Sequence, residues 1–176
     1  MPADLFTVAL LGSASEVARA FTAAGWTTPA RSKLRGELAT ILAAARGRGF
    51  GAQPFTTLQL DGRPPTLAFE KVVNSMAKRH HARAWPWGDV DGQPLWLVAA
   101  TRDDGMRYSR ARHAVTHRID PDVDAERDKI VDDLVAASAV AARSYVARTP
   151  PDGPVLVNDG TTPAVTDWRL AVLVLR

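Results

Sequence analysis

The chain opens with a strand signal that runs into a helix signal across one glycine, and this restricts it to folds in which helices pack on a sheet. Leu5–Leu11 is a short apolar run and Gly12 ends it. Ser13-Ala-Ser-Glu16 follows with capping-box spacing, in which the Ser hydroxyl and the Glu carboxylate satisfy opposite backbone donors. Val17, Phe21 and Ala24 recur at helical spacing and Gly25 closes the helix. The loop between strand and helix is not GxGxxG, which argues against a dinucleotide site.

The same reading continues along the chain. Lys33–Arg46 is predicted as a helix with Leu34, Leu38, Ile41 and Ala45 on its apolar stripe. Arg46–Pro65 is rich in Gly and Pro and reads as a long connection. Strands are predicted at Thr66–Val73, at Arg79–Trp85 with Pro86 ending it, and at Leu95–Thr101. The Gly88–Gly92 stretch suits a hairpin loop of several residues. Asp120-Pro121 reads as a helix start, with Asp as N-cap and Pro in the first turn, the helix running to about Ser138. Val140–Arg148 is assigned as a strand over an extension of that helix, and Trp168–Leu175 as a terminal strand. Together these elements predict an α+β class: a compact single domain over residues 1–176, with a mixed five- to seven-stranded sheet and about three helices. The 176 residues suit one domain, and 46% hydrophobic content supplies its core.

Composition removes several function classes. Without cysteine there are no disulfides and no thiolate metal ligands. The pI near 9.7 accompanies a net charge of only +3, so it is no nucleic-acid signal. The charge is instead arranged in blocks. Residues 102–118 hold five arginines and two histidines, and residues 120–133 hold seven carboxylates, so pairing within the fold is expected. No run reaches the ~18 apolar residues of a membrane span. Asp4 stands where a signal peptide would carry a basic residue. The expectation is a cytoplasmic protein with no transmembrane segment and no nucleic-acid partner.

All four histidines fall between residues 80 and 117. On a strand, Arg79, His81, Arg83 and Trp85 share one face, while His80, Ala82 and Ala84 share the other. His80 is therefore expected inward with a hydrogen-bonded ring. The first face suits an anion, or the carboxylates of a neighbouring element such as Asp120, Asp124 or Glu126. His113 and His117 are four apart, but Val115, Thr116, Ile119 and Pro121 argue against a helix there, and HExxH is absent. A divalent metal held by His81, His117 and Asp120 stays open as an alternative. Asp120, Asp122 and Asp124 imitate half a calcium loop, yet Ala125 and Val131 occupy the positions that need Gly and Glu. No nucleophile elbow is present.

At these residues the chain resembles the LssY C-terminal domain family. The resemblance rests on Gly25-Trp26, on Arg79-His80-His81-Ala82-Arg83-Ala84-Trp85, and on Leu95–Asp103 with Trp96 and Thr101-Arg102-Asp103. It also rests on Thr116–Asp128, which reads TH-x-IDPD-x-D-x-ERD, and on Thr166-Asp167. The chain departs from the pattern at Trp168, where Gly is expected. The family is similar in name to a type I secretion component, and longer relatives carry this domain behind membrane-embedded lipid-phosphatase or SNARE-associated-type domains. That implies a lipid-phosphatase or secretion partner but no particular activity for the domain itself. Lipid phosphatases of that class use SR-x5-H-x3-D. Here Ser109-Arg110, His117 and Asp120 give SR-x6-H-x2-D, and the companion motifs are missing, so a phosphatase reading fails on spacing.

Three functions remain to be separated by structure. The leading one is an accessory ligand-binding domain that recognises an anionic group, such as a lipid head group, at His81, Arg83, His117, Asp120, Asp124 and Arg127. The second is a metal-dependent hydrolase with His81 and His117 as ligands. The third is a polar cluster that only staples the sheet to the following helix.

Overall fold

The fold is described from a computed structural model, covering residues 5–28, 60–75, 78–109, 114–157 and 160–176, and excluding the side chains of residues 73–78 and 106–117. The elements run β1 Phe6–Leu11, α1 Ala14–Ala23, β2 Leu67–Ser75, β3 Lys78–Val90, β4 Gln93–Ser109, β5 Ala114–Ile119, α2 Val123–Ala136, β6 Val140–Ala147 and β7 Arg169–Leu175. The α+β expectation holds, with seven strands and two helices among the described residues. The predicted helix at Lys33–Arg46 lies outside the described residues.

One mixed sheet organises the molecule, in the order β2-β3-β4-β1-β7-β6, with β5 pairing beside β4. β1 is antiparallel to β4 and parallel to β7, and the remaining pairs are antiparallel. Strand β4 is long enough to serve two neighbours in turn along one edge. Its first half pairs with β1 and its second half with β5.

Both helices lie on one face of the sheet. α1 begins as its sequence dictates: Ser13 caps it, and Glu16 reaches back to the Ser13 amide at 2.6 Å. The Ser13 amide and hydroxyl both donate to the Glu16 carboxylate and lower its pKa. Val17 and Phe21 of α1 meet Val8, Leu10, Val98, Ile130, Leu134 and Leu173 in the main core. Phe21 stacks on Phe69 at 4.1 Å and meets Trp26 edge-on. The opposite face carries a smaller cluster of Trp85 and Ala99 with Phe6 and Leu60.

Three local expectations are corrected. Pro86 does not end β3, which continues to Val90. A register shift between Pro86 and Gly88 marks a bulge, one of the few sheet positions that tolerate proline. The hairpin that follows is a tight turn rather than a loop of several residues. Asp91 and Gly92 both have positive φ (52° and 80°), the backbone of a two-residue type I′ turn. The helix near Asp120 starts two residues late. Asp122 is the N-cap, accepting from the Ala125 amide at 2.9 Å. Asp120 and Pro121 lie between β5 and α2, held by backbone bonds: Asp120 N donates to Arg102 O, and Pro121 O accepts from Val165 N. A residue before proline is pushed towards extended backbone, which keeps Asp120 out of the helix.

Candidate functional site

α2 turns Val123, Ile130, Val131 and Leu134 to the sheet, and at the same buried positions it carries Glu126 and Arg127. A carboxylate and a guanidinium inside a core must each find partners. Glu126 finds His80: the ring Nδ1 lies 2.7 Å from Oε2 and 3.0 Å from Oε1, with both side chains buried. The expectation of an inward, hydrogen-bonded His80 is met.

Arg127 is 2% exposed and takes three aspartates. Its Nη1 donates to Asp167 at 2.6 Å and to Asp124 at 3.1 Å, and its Nε donates to Asp128 at 2.8 Å. The Arg169 carbonyl accepts at 3.2 Å, and the Tyr145 ring lies under the guanidinium. Burial would weaken this cation, but the hydrogen bonds to Asp128 and Asp167 and the charge of Asp124 outweigh it and raise its pKa. The Arg127 hydrogen bond holds Asp167 well below the usual carboxylate range, with Arg169 adding to it against a smaller opposing effect of burial. Asp124 also accepts from the Thr166 hydroxyl and the Asp167 amide. These contacts tie α2 to the start of β7. Beside them, Arg148 has Nε and Nη2 enclosed without an acceptor, and burial lowers its pKa.

On β3, residues alternate faces, so His81 and Arg83 stand on the side away from α2. His81 Nε2 lies 3.0 Å from Asp103 Oδ2. Glu70 and Thr101 are its cross-strand neighbours, and Arg79 is opposite Asp103 and 3.6 Å from Glu70. Arg79, His81, Arg83, Glu70, Thr101 and Asp103 thus form a polar stripe across β2, β3 and β4, in which Thr101 and Asp103 are buried and the other four partly buried. Neither described helix packs on this face.

The six residues expected at one site are therefore distributed. Asp124 and Arg127 belong to the cluster at the α2 start, and His81 and Arg83 to the opposite face of the sheet. Asp120 lies 3.8 Å from Arg102 and accepts from the Asp122 amide. His117, on β5, pairs with Met106 of β4, and its side chain is not among those described. Strand spacing and rise place its backbone roughly 16 Å from that of His81. Among the described residues no three His, Asp or Glu side chains group as a metal site requires. No clamp of Arg83 by Glu126 or Asp124 forms, because those carboxylates serve His80 and Arg127.

Residues not selected from sequence prove central. Asp103 and Asp167 were visible only as parts of resemblance blocks. Asp133 accepts from Trp26 Nε1, Lys71 and Lys129 at 3.0, 2.9 and 2.6 Å. Burial pushes its pKa up, but these donors outweigh burial and lower it.

The family model described as LssY C-terminus matches residues 1–167. The chain belongs to the LssY C-terminus family. No curated protein and no solved structure matches it. The blocks that mark this LssY C-terminus chain meet in space: His80 with Glu126, His81 with Asp103, and Arg127 with Asp167. Trp168, which stands where Gly is expected, adopts a positive φ of 61°, a backbone that favours glycine. No helix among the described residues is long and apolar enough to cross a membrane.

Proposed function

We propose that this LssY C-terminus domain is an accessory ligand-binding domain that takes a phosphate monoester, free or as a lipid head group, on the sheet face bearing His81. The observation that carries this reading is the His81–Asp103 pair on a face that neither described helix covers. With Nε2–H donating to Asp103, the ring is oriented and Nδ1 is the nitrogen that would hydrogen-bond a ligand. Arg79 and Arg83 flank it on the same face, and guanidinium groups suit phosphate oxygens. Asp124 and Arg127 are spent on each other and on Asp167, which assigns them to holding α2. The resemblance to domains that follow membrane-embedded lipid-phosphatase modules favours a phosphorylated head group over a soluble metabolite.

Calorimetric titration of the parent and of His81→Gln tests the reading. Glycerol 3-phosphate is one ligand, and vesicles of phosphatidylcholine with phosphatidic acid are the other. Saturable binding that the variant loses, with its unfolding midpoint unchanged, supports the site. Binding of vesicles alone assigns the head group, and binding of both assigns the phosphate. A parent that binds neither, or a variant that binds as the parent does, refutes the proposal.

A further inference from the structure

β6 ends the sheet, and among the described residues nothing pairs with its outer side. The other edge is treated differently. There Thr27 exchanges both backbone hydrogen bonds with Glu70 of β2. Residues 141–147 are exposed on both faces of the sheet, including Tyr145 and Val146. Edge strands are usually blunted by proline, lysine or a bulge. β6 reads VAARSYVA, and its register shift lies at its beginning, between Val140 and Ala142.

The register decides which backbone groups are available. Arg148 N donates to Trp168 O, next to the pair Ala147 and Arg169. In an antiparallel ladder, residues alternate between hydrogen-bonded and non-hydrogen-bonded pairs. Val146, Ser144 and Ala142 therefore turn their backbone groups towards β7. Ala147, Tyr145, Arg143 and Ala141 turn theirs outward, as a template for another strand.

The side chains say which strand fits. Two copies of β6, antiparallel and centred on Ser144, set Arg143 opposite Tyr145, Ala142 opposite Val146 and Ala141 opposite Ala147. Each outward-facing residue then meets an outward-facing residue, giving roughly eight backbone hydrogen bonds. The two-fold places a guanidinium beside an aromatic ring twice. Tyr145 is 39% exposed, and its ring already holds the guanidinium groups of Arg127 and Arg169 at 5.6 and 5.3 Å. Centring on Arg143 would oppose two like charges, and centring on Tyr145 would leave Arg143 against Ala147. We infer that β6 is a self-association edge through which two copies join their sheets about a two-fold axis at Ser144.

The sequence makes the test clean, because it contains no cysteine. At the axis the Ser144 pair is non-hydrogen-bonded, with Cα atoms about 4.5 Å apart and within disulfide reach. Mild oxidation of Ser144→Cys gives a cross-linked dimer, whereas Val146→Cys, opposite Ala142 of the second copy, cross-links far more slowly. Independently, sedimentation of the parent shows a concentration-dependent dimer. Ser144→Lys, at an exposed position, weakens that dimer about 5-fold or more through like charges at the axis, with circular dichroism unchanged. A parent that stays monomeric overturns the inference. So does equal cross-linking at both positions, or a dimer insensitive to Ser144→Lys, which would place the contact on another surface or leave β6 for a different protein's strand.

Discussion

Arg127→Met removes the guanidinium that fastens α2 to β7 while keeping an unbranched stem in its place. Asp124 and Asp167 are 17% and 34% exposed at the side chain. Hydrogen bonds to charged groups of this kind contribute about 1.5–3 kcal/mol each, and partial rehydration of the two carboxylates favours the lower figure. Asp128 is half exposed and adds about 0–1 kcal/mol. The Tyr145 contact adds about 0.5–1 kcal/mol. The expected loss is therefore about 3–5 kcal/mol, as for a buried pair that loses one partner. Against a domain stability of about 5–15 kcal/mol this is large. Urea unfolding followed by tryptophan fluorescence measures it, with an unchanged m-value showing that the denatured state is not the cause. The double variant with Asp167→Asn should lose less than the sum of the two singles, because both remove the same bond. A loss below about 1 kcal/mol, or strict additivity, would show that water already serves these carboxylates and that the cluster is not what holds the helix.

Three further outcomes follow from the same contacts. Asp122→Ala should cost about 1 kcal/mol by removing the α2 cap, and Asp120→Ala less, a ranking that chemical denaturation reads directly and that equal losses would contradict. Asp167 and Asp133 both have folded pKa values below their unfolded values. Their contribution is therefore fully present above about pH 4 and is lost as pH falls through the folded values. Urea midpoints stepped from about pH 6 to about pH 2 should decline, less steeply in Arg127→Met, and a flat parent profile would be inconsistent. Arg148→Met removes two enclosed donors that lack an acceptor, so it should be neutral or stabilising by about 1–3 kcal/mol, and a clear loss in thermal unfolding would assign Arg148 a partner.

Much of the fold was legible before any coordinates, because its signals are local. The Ser13–Glu16 box depends only on residues three apart, and α1 starts where that box sits. Apolar runs marked β1 and β7, and β-branched Val115, Thr116 and Ile119 kept that stretch from being read as a helix. Alternation along β3 separated His80 from His81. The Asp91-Gly92 turn is equally local, because an Asp-Gly pair readily takes the two positive φ values that a two-residue turn needs. The start of α2 was missed by two residues for a non-local reason. Asp120 has the composition of a cap, but its amide was already taken by Arg102 on β4, a contact that no neighbouring residue announces.

The partners of the charged residues were not legible, and this decided the site. The sequence by itself determined that a histidine-bearing strand and a carboxylate-rich helix start would both be present, and that their charges would largely cancel. Only the tertiary structure decided that Glu126 serves His80, that Asp103 on β4 serves His81, and that Asp167, forty residues downstream, serves Arg127. Ion pairing depends on distances of about 3 Å between groups on different elements. Those distances are set by strand order and register, and by which face of the sheet the helices cover.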